Sequence, residues 1–157
     1  QLKEHSITRR YQAIVHGVLK DDEGVIDAPI GRSPKDRKKM AINYNNGKSA
    51  VTHYRVIARF KDFTHIECRL ETGRTHQIRV HMSALGYPLA GDQLYYPAFS
   101  DTKIKRQALH SHRLSFSHPV TGEMLTFTSP LPCDMAALID PEPSAHRGSS
   151  LPAVLRG

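Results

Sequence analysis

The stretch Leu70-Glu71-Thr72-Gly73-Arg74-Thr75-His76-Gln77-Ile78-Arg79-Val80-His81-Met82 decides the local fold, because it predicts a tight turn that leads directly into a helix. Gly73 suits the turn, since glycine adopts backbone angles that other residues avoid. Thr75 suits an N-cap, because its side-chain oxygen can accept a backbone N–H from two or three residues further on. The stretch therefore predicts a helix that begins at Thr75.

The next residues define one apolar helical face and a stop signal. Ile78, Met82 and Leu85 fall at positions i, i+4 and i+7, which lie on the same side of a helix. Gly86 suits a left-handed residue just past the helix, and Pro88 is typical of the chain beyond it. The spacing predicts a short helix over residues 75–85.

Arg79 lies about one turn inside this predicted helix, among apolar neighbours. A guanidinium is charged at any working pH and pairs best with a carboxylate or a phosphate. Arg74 and His76 lie at the predicted helix N-terminus, where backbone N–H groups and the helix dipole favour an anion, with capping or surface roles as the alternative. His76 and His81 are five residues apart, which does not match the spacing of a metal-binding pair, so we predict no metal site.

The charge of the chain indicates a polyanionic partner. Lysine and arginine number 22 and aspartate and glutamate 15, which gives a formal net charge of +7 over 157 residues. Nucleic acid is the first candidate and an anionic membrane the second, and a merely basic soluble protein is the plain alternative. No apolar run approaches the roughly 18–20 residues that span a bilayer, which argues against the membrane.

A basic loop over residues 31–39 is the main candidate for phosphate contacts. Pro34 and Ser33 keep it a loop, and a solvated run of charge is the ordinary alternative. Such contacts give affinity and salt dependence without reading the base sequence. The candidate residues are Arg32, Lys35, Arg37, Lys38 and Lys39, and Lys103, Lys105 and Arg106 are candidates to extend the same face.

The pattern of apolar and turn residues predicts an α+β fold, a mainly antiparallel mixed β-sheet with few short helices. We expect one domain portion over residues 1–140 and a Pro/Ser/Gly-rich flexible tail over residues 141–157. The two cysteines, Cys68 and Cys133, match no metal spacing and suggest a reduced, cytoplasmic protein. Strands are predicted over residues 10–18, 24–30 (broken by Pro29), 40–43, 50–60 and 65–70. We also predict a hairpin-type turn at 45–48, a hairpin of 107–118 with 124–128, and a short helix over 134–139.

Two further residues have an ordinary and a functional interpretation. Tyr11 lies on a predicted strand, where core packing is the simpler role and stacking on a base is the alternative. Asp92 follows Gly91 in a predicted turn, where it is expected to cap local backbone N–H groups rather than act in catalysis.

The stretch over residues 70–82, continued by Gly86-Tyr87-Pro88-Leu89-Ala90-Gly91-Asp92, resembles the RluA/RluD family of RNA pseudouridine synthases, and within it the RluD type most closely. Residues 9–17 resemble the tyrosine motif of that family, and residues 50–54 and 107–110 also fit. The resemblance covers residues 1–140 and not the tail.

The resemblance implies an enzyme that isomerises uridine to pseudouridine in large-subunit ribosomal RNA, with no metal or organic cofactor. By resemblance, Tyr11 matches the tyrosine that stacks on the target base and Arg79 the arginine that pairs with the catalytic aspartate. Ile78 matches a position of the apolar pocket. A flipped-out base needs an aromatic face and a close pocket, and a fixed arginine keeps a carboxylate ionised.

The family's aspartate stands in an Arg-Leu-Asp motif upstream of the tyrosine motif, and this chain has no such motif. Arg113-Leu114-Ser115 lacks the acid and comes too late. We therefore expect the chain alone to be inactive and the longer parent to be active. The alternatives are a basic RNA-binding module or degenerate homologue without chemistry, and a generic basic protein that binds another protein.

Overall fold

The computed structural model describes residues 7–97, 104, 106–117 and 120–139. Its two helices are α1 (Gln77–Leu85) and α2 (Cys133–Ile139). Neither is long and apolar enough to cross a membrane. The strands of this part of the chain are β1 (Ile7–His16), β2 (Glu23–Asp27), β3 (Ile30–Arg32), β4 (Met40–Ile42), β5 (Val51–Arg59), β6 (Phe63–Leu70), β7 (Leu109–Ser117) and β8 (Met124–Thr128).

Six of these strands form one sheet in the order β2-β5-β6-β1-β7-β8, and β3 and β4 form a separate pair. All the strand pairs are antiparallel. The predicted α+β fold, a mainly antiparallel sheet with few short helices, is confirmed. The predicted hairpin of β7 and β8 is also confirmed, with Arg113 opposite Thr128 and Ser117 opposite Met124.

Strand β1 lies inside the sheet because both of its faces are apolar. Ala13, Ile14 and Val15 are all 0 % exposed, and successive side chains of a strand point to opposite faces. Ala13 and Val15 pack with Ile78 and Met82 of α1. Ile14 packs on the other face with residues of α2. The two helices therefore cover opposite faces of the sheet.

The β3–β4 pair carries the basic loop and packs against α1. Ile30, Ala50 and Val80 form a buried cluster, and Met40 and Tyr95 pack against it. This packing fixes one end of the basic loop beside the helix that carries Arg79.

The prediction that proline breaks the strand over 24–30 is confirmed, since β2 and β3 are separated at Pro29, which cannot donate a backbone hydrogen bond. One prediction about strands was wrong. The turn at 45–48 does not close a hairpin with β5, because β4 pairs with β3. The predicted tail over 141–157, together with Lys103 and Lys105, lies outside the described residues.

Candidate active site

The turn before α1 is held by the side chain of Gln77. Its Oε1 accepts hydrogen bonds from the Thr72 hydroxyl at 2.8 Å and from the Arg74 backbone N–H at 2.9 Å. The helix begins at Gln77, and the residue before it, His76, has a left-handed backbone with φ of 56°. The prediction that Thr75 caps the helix was wrong, because an N-cap residue needs an extended backbone and the chain reverses instead at His76.

The end of α1 follows the sequence prediction. Gly86 has φ of 101°, which favours glycine, and its N–H donates to the carbonyl of Ser83. The N–H of Tyr87 donates to the carbonyl of Met82 at 2.9 Å. These two bonds satisfy carbonyl groups that the helix leaves open at its C-terminus.

Arg79 forms a bidentate ion pair with Asp92. Its Nε and Nη2 each donate to a different carboxylate oxygen at 2.9 Å. The side chain of Arg79 is 12 % exposed and that of Asp92 is 0 % exposed. The resemblance implies a catalytic aspartate as the partner of Arg79, and within the described residues the carboxylate that binds this arginine is Asp92.

Asp92 also caps the turn that follows it, as the sequence predicts. Its Oδ1 accepts the backbone N–H groups of Leu94 at 3.2 Å and Tyr95 at 3.1 Å. The carboxylate therefore accepts four hydrogen bonds, two from Arg79 of α1 and two from the turn over residues 92–95.

Tyr95 connects Arg79 to the basic loop, a role that was not predicted from the sequence. The guanidinium carbon of Arg79 lies 5.1 Å from the centre of the Tyr95 ring, a cation–π distance. The hydroxyl accepts the Met40 backbone N–H at 2.9 Å and lies 2.8 Å from Nδ1 of His76. The sequence signal was its position three residues after Asp92, which is typical of a residue held by an Asx-type turn.

The surroundings of Tyr95 shift two pKa values. Burial lowers the pKa of His76, and the positive charge of Arg79 lowers it further. Burial raises the pKa of the Tyr95 hydroxyl. At neutral pH, Tyr95 can therefore donate its O–H to the neutral imidazole of His76 while it accepts the N–H of Met40.

His81 holds the fold together and points away from this site. Its Nδ1 accepts from the Thr52 hydroxyl at 2.8 Å, and its Nε2 donates to the carbonyl of Ala28 at 2.9 Å. Burial lowers the pKa of His81, so the ring is neutral. Gln77 Nε2 donates to the Thr52 hydroxyl at 2.9 Å, which connects this buried network to the turn before α1.

Tyr11 and Ile78 lie on the same side of the sheet. Tyr11 is partly buried and packs against the cluster that includes Ile78 and Met82. Ile78 is 3 % exposed. Arg79 follows Ile78 directly on α1, so the helix that carries Arg79 is also the one whose Ile78 belongs to the cluster that Tyr11 packs against.

The predicted RNA-binding residues do not form one group. Arg74 Nε donates to the carbonyl of Ser49 at 2.7 Å, whereas His76 contacts Tyr95, so these two side chains bind different partners. Arg106 forms a bidentate pair with Asp134 at 2.8 and 2.9 Å and does not extend the basic loop as a free cation. Arg32, Lys35, Arg37 and Lys38 are exposed, and Lys39 is half-buried.

A buried arginine–aspartate pair between a helix and a turn is not specific to one class of protein. Comparison with known proteins identifies the class. The sequence profile of the RNA pseudouridylate synthase family matches residues 1–84. The chain belongs to this family, whose members are isomerases that act on RNA.

Individual relatives agree with this assignment. RNA pseudouridine synthase YlyB of Bacillus subtilis, described as uncharacterized, is 55% identical over 140 residues, which cover 89% of this chain and 46% of that protein. Ribosomal large subunit pseudouridine synthase D of Nitrosomonas europaea is 50% identical over 146 residues, 88% of this chain and 42% of that protein. The chain thus spans about half the length of these relatives.

The fold is also similar to a solved structure. The structure of human RNA pseudouridylate synthase domain containing 1 superposes with a TM-score of 0.73 at 27% identity, over 98% of this chain and 67% of that one.

Proposed function

We propose that this chain provides the arginine and tyrosine side of a uridine site in an RNA pseudouridine synthase that acts on large-subunit ribosomal RNA. The observation that carries the proposal is the buried Arg79, which Asp92 and Tyr95 hold on the same helix whose Ile78 lies in the cluster that Tyr11 packs against. The name of the Nitrosomonas europaea relative supports ribosomal RNA as the substrate.

The guanidinium of Arg79 has one nitrogen, Nη1, that can bind a second carboxylate. Asp92 binds Nε and Nη2, and no hydrogen bond of Nη1 is found within the described residues. A guanidinium has five N–H donors, so Nη1 can pair with a catalytic aspartate supplied by an upstream segment. Asp92 would then position the arginine, and the arginine would keep the nucleophile ionised.

The proposed reaction breaks the glycosidic bond of uridine, turns the uracil and joins its C5 to the sugar. The ring of Tyr11 stacks on the flipped base, and Ile78 closes the apolar pocket. We further propose that residues 1–140 are the C-terminal portion of the catalytic domain and that the protein works in the cytoplasm. Both cysteines are free thiols, which agrees with that location.

A tritium-release assay on ribosomal RNA tests the proposal. In a longer protein that includes the upstream segment, Arg79→Ala should abolish most turnover while RNA affinity stays nearly unchanged. Arg106→Ala is the matched control, because it removes an arginine side chain whose bidentate pair with Asp134 is exposed and makes no contact with Arg79. A large loss of affinity with unchanged turnover would show that Arg79 binds phosphate instead.

The isolated chain should show no turnover in the same assay, because it lacks an Arg-Leu-Asp motif. Robust turnover by the chain alone would disprove this part of the proposal.

The basic loop should contribute phosphate contacts. Neutralising Lys35, Arg37, Lys38 and Lys39 together should flatten the dependence of RNA affinity on salt concentration. An unchanged slope would mean that the loop faces away from RNA.

A non-catalytic RNA-binding module is the second candidate, and one observation favours it. Arg79 already has an internal carboxylate, so the fold is complete around it without a nucleophile. An upstream sequence of the parent gene without Arg-Leu-Asp would support this alternative.

A further inference from the structure

We propose that the face of the sheet opposite α1 carries a second RNA-backbone site, a row of basic side chains that crosses four strands. The row consists of His53 on β5, Arg69 on β6, Arg10 on β1 and Arg113 on β7. It rests on the proposed function only in taking RNA as the polyanion, and it does not depend on catalysis.

The register of the strands creates the row. His53 lies opposite Arg69, Arg69 lies opposite Arg10, and Arg10 lies opposite Arg113. Residues directly opposite in antiparallel strands point to the same face. Neighbouring strands are about 4.8 Å apart, so the row spans roughly 14 Å.

The opposite face of the same strands is the one that packs on α1. Tyr11 lies opposite Cys68, and Cys68 lies opposite Tyr54. All three belong to the apolar cluster that contains residues of α1. Because side chains alternate along a strand, the basic row lies on the other surface of the sheet. α2 packs on the same surface at Ile14, four residues along β1 from Arg10.

Three neighbouring arginines repel one another and destabilise the folded sheet unless an anion neutralises them. Like charges directly opposite on neighbouring strands are destabilising. Glu67, one row away, relieves part of this repulsion, because its Oε1 accepts from Arg10 at 3.3 Å and from Arg55 at 3.1 Å. No ion pair of Arg69 or Arg113 is found within the described part of the chain.

Two of the acidic groups near the row already have partners. Glu67 is shared by two arginines, and the carboxylate of Glu71 bonds to His53. A cleft of about 360 Å³ lies over this surface and is lined by Arg10, Arg69 and His53, with Glu23 at its β2 side. An anion that enters the cleft meets guanidinium groups that have donors to spare.

The shape of the row favours a phosphate backbone over a single acidic group. A compact anion needs donors that converge on one point, whereas the row presents guanidinium groups at successive positions along a line. A chain of phosphates carries one negative charge per nucleotide and can contact successive guanidinium groups. We therefore take single-stranded RNA outside the target nucleotide as the ligand.

Binding of the 157-residue chain to a fluorescent oligoadenylate of about 20 nucleotides tests the proposal, since this probe contains no uridine to be modified. Affinity is measured by anisotropy over a series of salt concentrations. Arg69→Gln and Arg113→Gln should each lower the salt slope by about 0.7, the value for one phosphate contact on a single strand. Lys61→Gln is the matched control, because it removes the same charge from an exposed residue at the opposite end of β5 and β6.

Glu67→Gln gives an independent signature of the opposite sign. It releases Arg10 and Arg55 from their shared carboxylate, so oligoadenylate should bind several-fold more tightly. Thermal unfolding of each variant confirms that it is folded at the temperature of the measurement.

Equal slopes for Arg69→Gln, Arg113→Gln and Lys61→Gln would overturn the proposal. Equal affinity for polyglutamate of similar length would also overturn it, because the surface would then recognise acidic protein segments. If the row binds RNA but the longer protein makes no pseudouridine, the proposed function fails and this inference stands.

Discussion

Asp92→Asn should destabilise the fold strongly, although it changes only one atom of the side chain. The asparagine Oδ1 can still accept the backbone N–H groups of Leu94 and Tyr95, so the turn keeps its cap. The amide nitrogen, however, faces the donors of Arg79, and the guanidinium loses its counter-charge. Breaking a buried ion pair by removing one partner costs about 3–5 kcal/mol, because the other charge stays buried.

This cost converts to a large shift in melting temperature. For a domain of 150–250 residues, 1 kcal/mol corresponds to roughly 2–4 °C, so Asp92→Asn should lower Tm by roughly 6–20 °C. Urea unfolding at pH 7, followed by circular dichroism, gives the change in the free energy of unfolding. An unchanged m-value would show that the effect is on stability and not on compactness.

Asp134→Asn is the matched control for this prediction. Arg106 and Asp134 form the same bidentate geometry, but their side chains are 43 % and 45 % exposed. Exposed pairs contribute little because water screens them, so this variant should unfold close to the wild type. A loss as small for Asp92→Asn as for Asp134→Asn would refute the reasoning that burial decides the strength of the Arg79 pair.

The remaining predictions concern protonation, thiols and backbone angles. Because the folded state lowers the pKa of His81, the unfolded state takes up a proton first, so the free energy of unfolding should fall as pH drops below about 6.5. His81→Gln should flatten this pH dependence, measured by urea titration, and equal pH dependence in the variant and the wild type would contradict the prediction. A thiol reagent should label Cys133 in the native protein but leave Cys68 unlabelled until unfolding, since burial raises the pKa of Cys68 to about 12; mass spectrometry reads this directly. Gly91→Ala should lower Tm more than Gly86→Ala. Both glycines have positive φ, but only at Gly91 would the new Cβ collide with a backbone carbonyl oxygen, that of Arg106. Similar shifts in Tm would argue against that contact.

Features set by neighbouring residues were predicted correctly from the sequence. The left-handed end of α1 at Gly86 and the limits of β8 depend on residues within a few positions of each other. Thr75 failed as an N-cap because other contacts shape the same turn. The Thr72 hydroxyl accepts the backbone N–H of Val51, and the Gln77 side chain accepts from Thr72 and Arg74.

The candidate site was predicted only in part for the same reason. Arg79 stood out because helix spacing placed it among apolar residues, and Asp92 was recognised as a turn cap. Their pairing, however, spans 13 positions and follows no helical or strand period. Tyr95 gained its role only because β4 brings the Met40 N–H to its hydroxyl.

The sequence by itself determined the fold class, the family and the helix that carries Arg79, since these depend on local periodicity and on a long motif. Only the tertiary structure decided that Arg79 is held by Asp92 and Tyr95, and that Arg10, His53, Arg69 and Arg113 form one row. Strand register and burial are set by the packing of the whole sheet, and a shift of one residue would move every side chain of a strand to the other face.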